Sequence, residues 1–153
     1  MAIYFAIQGT PKECRANAWT KLSKLQSATG VIRDLGVSNF NIRQIEELRA
    51  LEGVAPVAVN QIQYNCFAPD VQEETFQKCQ KMGVAVTAWS SFQGTLMQQE
   101  TAFLVDTLKV IAAAKKRSVP QILLRWAVQK GAAVIPGTGN PSHMDENLVR
   151  TPV

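Results

Sequence analysis

An α/β fold, with parallel strands alternating with helices, is predicted by three observations on the 153-residue sequence. Five short runs rich in apolar and β-branched residues are separated by segments of helical period. Most of those runs are near-continuous instead of alternating, the pattern of strands covered on both faces. The helical segments tend to open after Asn, Asp or Ser and to close on Gly, as capped helices do.

Ile3 to Ile7 reads as the first strand, stopped by Gly9 and Pro11. Glu13 to Gln26 is helical, with Trp19, Leu22 and Leu25 spaced three apart and expected on one face; Gly30 ends the helix and Val31 to Val37 is a strand. Asn41 caps a helix running to about Leu51, with Ile42, Ile45 and Leu48 on one side. Val57 to Ile62 is the third strand. Asp70 caps an amphipathic helix containing Val71, Phe76 and Met82, which stops near Gly83 before the strand Val84 to Trp89. A polar loop from Ser90 to Glu100 leads to a helix over Thr101 to Lys116, and Ser118 with Pro120 opens another over Val119 to Lys130, closed by Gly131. Ala132 to Ile135 is the last strand, and Pro141 starts a short helix through Leu148. An open doubly wound sheet and part of a (β/α) barrel both fit this alternation.

With 46% apolar residues the chain can bury roughly two thirds of its unfolded surface, so residues 1–153 read as one domain without repeats or linkers. The net charge of +4 is spread along the chain. Lys115, Lys116 and Arg117 form the densest cluster, read as a solvated helix end because no aromatic residues interleave the bases as single-strand nucleic-acid binders require. Cys14, Cys66 and Cys79 are odd in number and lack CxxC spacing, which argues against a disulfide framework or zinc site and favours a reducing, cytoplasmic setting. The apolar run from Ala2 to Ile7 lacks a basic leader and a cleavage pattern, and no stretch approaches the ~20 residues of a membrane span.

Beyond these patterns stands a set of ordered motifs. Gly36-Val37-Ser38-Asn39-Phe40 sits where a strand gives way to a helix. Val59-Asn60-Gln61-Ile62-Gln63-Tyr64 ends the next strand, and Ala88-Trp89-Ser90 the one after. Pro120 to Ala127, Val134-Ile135-Pro136 and Glu146-Asn147 follow in order. The chain resembles the aldo-keto reductase family in this succession, with Trp89 where Tyr is usual. The resemblance implies part of a (β/α)8 TIM barrel, about its last five strands, with chemistry at the C-terminal strand ends.

It also implies an NADP(H)-linked oxidoreductase whose complete relatives reduce aldehydes and ketones. Ser38, Asn39 and Gln61 would then hold the nicotinamide carboxamide, which presents both a donor and an acceptor. Ser38 and Asn39 could equally serve as turn and capping residues, whereas a polar Gln61 on an apolar strand is costly to bury without a purpose. Trp89 would stack on the nicotinamide, or fill the core. Ser90 would reach the pyrophosphate, or form a plain turn. The loop from Pro136 to Asn140 suits a phosphate against the helix that follows. Relatives read Ile-Pro-Lys-Ser here with an Arg following; Gly137 stands for the Lys, Thr138 for the Ser and His143 for the Arg. Two fixed cations are thus replaced, which weakens recognition of the 2′-phosphate and leaves the preference for NADP over NAD open. Glu146 and Asn147 match the family's adenine-contacting pair, with a solvated helix face as the competing reading.

Carbonyl reduction needs a general acid on the carbonyl oxygen as well as a hydride donor. In the family the Asp, Tyr and Lys come from earlier strands, and Gln8 stands where a His usually ends the strand resembling Ile3 to Ile7. Tyr4 and Tyr64 do not substitute, so no catalytic residue and no metal ligand is assigned, and these 153 residues alone are expected not to turn over substrate. The alternative is a non-catalytic half barrel that binds a dinucleotide or completes itself against a second copy or another chain through its open strand edges. The expected ligands are a dinucleotide and a small carbonyl compound, with no nucleic acid and no membrane.

Overall fold

The computed structural model describes residues 2–5, 9–67, 70–92 and 102–148, and the side chains within 9–67, 70–92 and 105–148. Two compact units emerge, one from the chain up to Ile62 together with Asp70–Thr87, the other from Gln63 to Pro69 and Ala88 onward.

The first unit holds β1 (Ala2–Phe5), α1 (Lys12–Thr29), β2 (Asp34–Ser38), α2 (Ile42–Arg49), α3 (Asp70–Lys81), and most of β3 (Val57–Gln63) and β4 (Ala85–Trp89). Its strands lie in chain order, β1-β2-β3-β4, and the β1/β2 and β2/β3 pairs are parallel. A doubly wound sheet reverses its order at a switch point. Four strands in unbroken succession wind as a (β/α) barrel does, which decides between the two architectures. Between β2 and β3 the register shifts once: Leu35 pairs with Val57, but Gly36 pairs with Val59, so Ala58 is an extra residue.

Helix α1 differs from expectation in the face it buries. Trp19 is fully buried, but Leu25 is 47% exposed, and the buried positions are Arg15, Trp19 and Ser23. At about 100° per residue, positions four apart drift by about 40°, whereas Leu25 lies about 120° round the helix from Trp19. The buried stripe is anchored by polar contacts. The Trp19 indole N–H donates to the Ala55 carbonyl at 3.0 Å, and the Ser23 hydroxyl accepts the Ala55 N–H at 3.0 Å. Arg15 donates to the Thr10 carbonyl and to the Glu47 carboxylate, joining α1 to α2. Gly30, at φ 65°, closes α1 in the left-handed conformation that glycine tolerates.

At the start of α2 the expected cap is present and reciprocal. The Asn41 side chain accepts the Gln44 N–H at 2.9 Å while the Gln44 side chain accepts the Asn41 N–H at 3.0 Å. Ile45 and Leu48 are buried beneath it. Asp70 is the first residue of α3, not its cap, and Val71 is 61% exposed, about 140° from the buried Phe76.

The second unit contains α4 (Ala102–Lys115), α5 (Val119–Lys130), β5 (Ala133–Val134) and α6 (Pro141–Asn147). Helix α5 has the expected bounds. The Ser118 hydroxyl accepts the Gln121 N–H at 3.4 Å, the Gln121 side chain accepts the Ser118 N–H at 3.1 Å, and Gly131 ends the helix at φ 96°. Ile122, Leu123, Leu124 and Ala127 form its buried face. Tyr64 is fully buried and stacks on Trp126 with ring centroids 5.2 Å apart, and the Lys130 ammonium lies 5.6 Å from the Trp126 ring centre. Strand β5 is two residues, shorter than the four expected. Lys115 and Lys116 are exposed at the end of α4, whereas Arg117, the third residue of that cluster, is half-buried. No helix among the described residues is long and apolar enough to cross a membrane.

Candidate functional site

The predicted site residues fall into groups, each within one unit. In the first, Ser38 ends β2 and is the direct register partner of Gln61 on β3. The Ser38 hydroxyl donates to the Gln61 carbonyl at 3.3 Å, the Asn39 N–H donates to the same carbonyl at 2.9 Å, and the Asn39 amide donates to the Ser38 hydroxyl at 3.4 Å. All three residues are half-buried. The Gln61 side-chain amide has no hydrogen-bond partner among the described residues, so its donor and acceptor are available at the strand end.

Asn60, which sequence reasoning quoted as part of a motif and gave no role, holds this turn in place. It is completely buried, and its side chain donates to the Phe40 carbonyl at 2.8 Å while accepting the Phe40 N–H at 3.4 Å. One amide thus satisfies both backbone groups of the residue after Asn39, groups that would be costly to bury unpaired. Asn39 itself has φ 58°, a left-handed conformation.

In the second unit Trp89 ends β4, half-buried, and Ser90 follows at φ 56°. The Trp89 carbonyl accepts the Tyr64 N–H at 3.3 Å, and the Ser90 carbonyl accepts the Asn65 side-chain amide at 3.0 Å, so both strand-end residues are tied to the segment after β3.

Also in the second unit, Thr138, Glu146 and Asn147 line one cavity of about 410 Å³. Gly137 and His143, the two positions where cations are replaced, line it as well, with Phe92, Val105, Val119 and Pro120 as its largely apolar wall. The Gln121 side chain donates to the Glu146 carbonyl at 3.1 Å and so fixes α6 against α5. The Glu146 carboxylate and the Asn147 amide make no hydrogen bond to the described residues. The Thr138 hydroxyl accepts the Asn140 N–H at 3.1 Å, shaping the turn before α6. Phe92 and Val105 escaped sequence reasoning, since a lone apolar residue in a loop or helix bears no mark of the cavity it lines.

Gln8 lies outside the described residues. Burial pushes the Cys79 and Cys66 thiols up, away from the reactive thiolate. Among the described residues no group of three His, Cys, Asp or Glu side chains is placed to hold a metal.

Parallel strands wound in chain order, with polar residues gathered at their C-terminal ends, define a protein of the (β/α)-barrel class. A sequence profile of the Aldo/keto reductase family matches residues 5–150, and the chain belongs to that family. It is 36% identical over 138 residues to the NAD(P)H-dependent D-xylose reductase of Candida tenuis, covering 84% of this chain and 42% of that protein. Aldo-keto reductase family 1 member A1 of Bos taurus is 37% identical over 135 residues, which cover 85% of this chain and 40% of the bovine protein. Among solved structures, an aldo/keto reductase from Brucella melitensis superposes with a TM-score of 0.80 at 32% identity, over 95% of this chain and 52% of that one. A Bombyx mori aldo-keto reductase in complex with NADP gives a TM-score of 0.77 at 30% identity, over 95% of this chain and 50% of that one. The chain spans about two fifths of the length of these curated relatives and half of these solved structures, and its fold is a partial (β/α)8 barrel.

Proposed function

We propose that residues 1–153 form a partial aldo-keto reductase domain that binds a nicotinamide dinucleotide, NADP(H) or NAD(H), without reducing a carbonyl compound by themselves. The single observation in support is the cavity: Thr138, Glu146 and Asn147, singled out from sequence as an adenosine site, line one space of about 410 Å³ with their carboxylate and amide unpartnered. A volume in this range suits one half of a dinucleotide. Ser38, Asn39 and Gln61 suit the carboxamide end, the free Gln61 amide matching a ligand group that both donates and accepts. Trp89 would present an indole face to the ring and Ser90 a hydroxyl to a phosphate.

When bound, the dinucleotide supplies the hydride. The residues named here would bind and orient it, and the proton for a carbonyl oxygen would, in this reading, come from elsewhere. Reduction of aldehydes or ketones therefore belongs, in this reading, to a barrel that also contains the Asp, Tyr and Lys strands. A reducing, cytoplasmic setting accompanies the proposal, in keeping with three free thiols.

Titration of the purified chain with NADPH and NADH, following cofactor fluorescence and tryptophan quenching, tests the reading. Saturable binding is expected, weakened on the order of tenfold in Trp89→Ala, since base stacking on an aromatic contributes about 1–3 kcal/mol. NADPH-dependent aldehyde reduction by these residues alone, abolished in Gln61→Ala, would overturn the claim of inactivity.

A second reading, a partner-completed half barrel, has one observation in its favour. Among the described residues β1 stands at the end of the strand order and pairs only with β2, leaving an edge able to recruit another strand.

A further inference from the structure

We infer that Asn60 is a positioning residue for nicotinamide recognition, acting from the far face of β3 to fix the backbone on which Asn39 is presented. The inference rests on the proposed placement of the carboxamide at Ser38, Asn39 and Gln61.

Asn39 stands between two peptide units, and β3 holds both of them. The unit before it is pinned where the Asn39 N–H donates to the Gln61 carbonyl at 2.9 Å. The unit after it carries the Phe40 N–H, which donates to the Asn60 side-chain oxygen at 3.4 Å, and the Asn60 amide in turn donates to the Phe40 carbonyl at 2.8 Å. Two consecutive residues of one strand thus fix the backbone on either side of Asn39, whose φ is 58°. That left-handed region is disfavoured for a residue with a Cβ, so releasing either hold lets the turn relax and carries the Asn39 side chain away from Gln61.

Successive strand residues point to opposite faces. Gln61 is half-buried with its amide unpartnered among the described residues, whereas Asn60 is completely buried on the other face, with the Cys79 sulfur of α3 at 3.8 Å from its amide nitrogen. Asn60 therefore cannot reach a ligand that Gln61 contacts, and it acts through the Phe40 backbone. Both ends of its amide are used there. An Asp in its place keeps the acceptor, loses the donor and sets a carboxylate against the Phe40 carbonyl, while an Ala loses both bonds.

The test separates the two halves of the dinucleotide. NADH and ADP-ribose, which lacks the nicotinamide, are titrated calorimetrically into the unmodified chain, Asn60→Ala, Asn60→Asp and Cys79→Ala. The unmodified chain should bind NADH about tenfold more tightly than ADP-ribose, and both Asn60 variants should lose about that factor for NADH while ADP-ribose stays within about twofold. Cys79→Ala leaves both bonds to Phe40 in place and should keep NADH within about twofold. Amide hydrogen exchange on the unmodified chain gives a reading that needs no variant to fold: the Phe40 N–H should exchange at least about a hundredfold more slowly than an unstructured amide. Four results would each overturn the inference while leaving dinucleotide binding intact: NADH affinity unchanged by the Asn60 substitutions, equal losses for NADH and ADP-ribose, a loss in Cys79→Ala as large as in Asn60→Ala, or a Phe40 amide exchanging at the unstructured rate. Binding of neither compound to the folded unmodified chain would overturn the proposed function and the inference together.

Discussion

At the scale of single residues, Asn39 and Ser90 stand out because two strands, β2 and β4, both give way to a non-glycine residue in the left-handed region, at φ 58° and φ 56°. Asn takes that conformation readily, but a Ser Cβ meets the following carbonyl, which costs about 1–2 kcal/mol. Glycine would relieve this and lose about 0.4–1 kcal/mol through its looser unfolded state. Ser90→Gly is therefore expected to stabilise the chain by about 0.5–1 kcal/mol in urea melts while weakening dinucleotide binding; a loss of stability would contradict the strain argument. The residue types Ser38, Asn39, Gln61, Trp89 and Ser90 were legible in the sequence because their motifs sit at strand ends. Their conformations were not, since short polar residues suit a helix start, a turn and a ligand equally well. Asn60 escaped for the converse reason: a buried amide and an exposed one are the same letter until the strand beside it is known.

Elements were read best where chemistry punctuates the chain. Reciprocal caps at Asn41/Gln44 and Ser118/Gln121 and the glycines at 30 and 131 mark helix ends by local hydrogen bonding and backbone freedom, which neighbours along the chain decide. The face of α1 was misread because Trp19, Leu22 and Leu25 suggest an apolar stripe, whereas packing selects Arg15, Trp19 and Ser23 through partners on the segment before β3 and on α2. The Arg15–Glu47 pair can be tested by pH. The hydrogen bond from Arg15, chiefly, holds the Glu47 carboxyl below its ordinary value of 4.5. A depressed carboxylate stabilises the fold fully above its unfolded value and loses that contribution as pH falls through the folded one. Glu47→Gln should thus melt below the unmodified chain at pH 7, the gap narrowing below pH 4.5 and closing at lower pH. A gap constant with pH would show that the ion pair contributes nothing.

For the molecule as a whole, the succession of parallel strands was legible from alternation alone, and the choice of a barrel came from ordered motifs now supported by strands that follow chain order. The edge at β1 bears on association: light scattering across a concentration series should show a mass rising above 16.8 kDa, and a monomer at every concentration would remove the partner-completed reading. What no pattern in the sequence could disclose is the count along the sheet. Leu35 and Ser38 are three steps apart on β2, yet their partners Val57 and Gln61 are four steps apart on β3. The two strands reach the same rung after unequal journeys, with Ala58 as the difference. For anyone transplanting this rim onto another scaffold, Ser38 and Gln61 are therefore not a portable pair but the far end of a three-residue unit: copied onto two strands of equal pitch on which Ala58 takes a rung of its own, Ser38 would arrive opposite Asn60, and the residue that anchors the turn would stand where the amide proposed to face the ligand belongs.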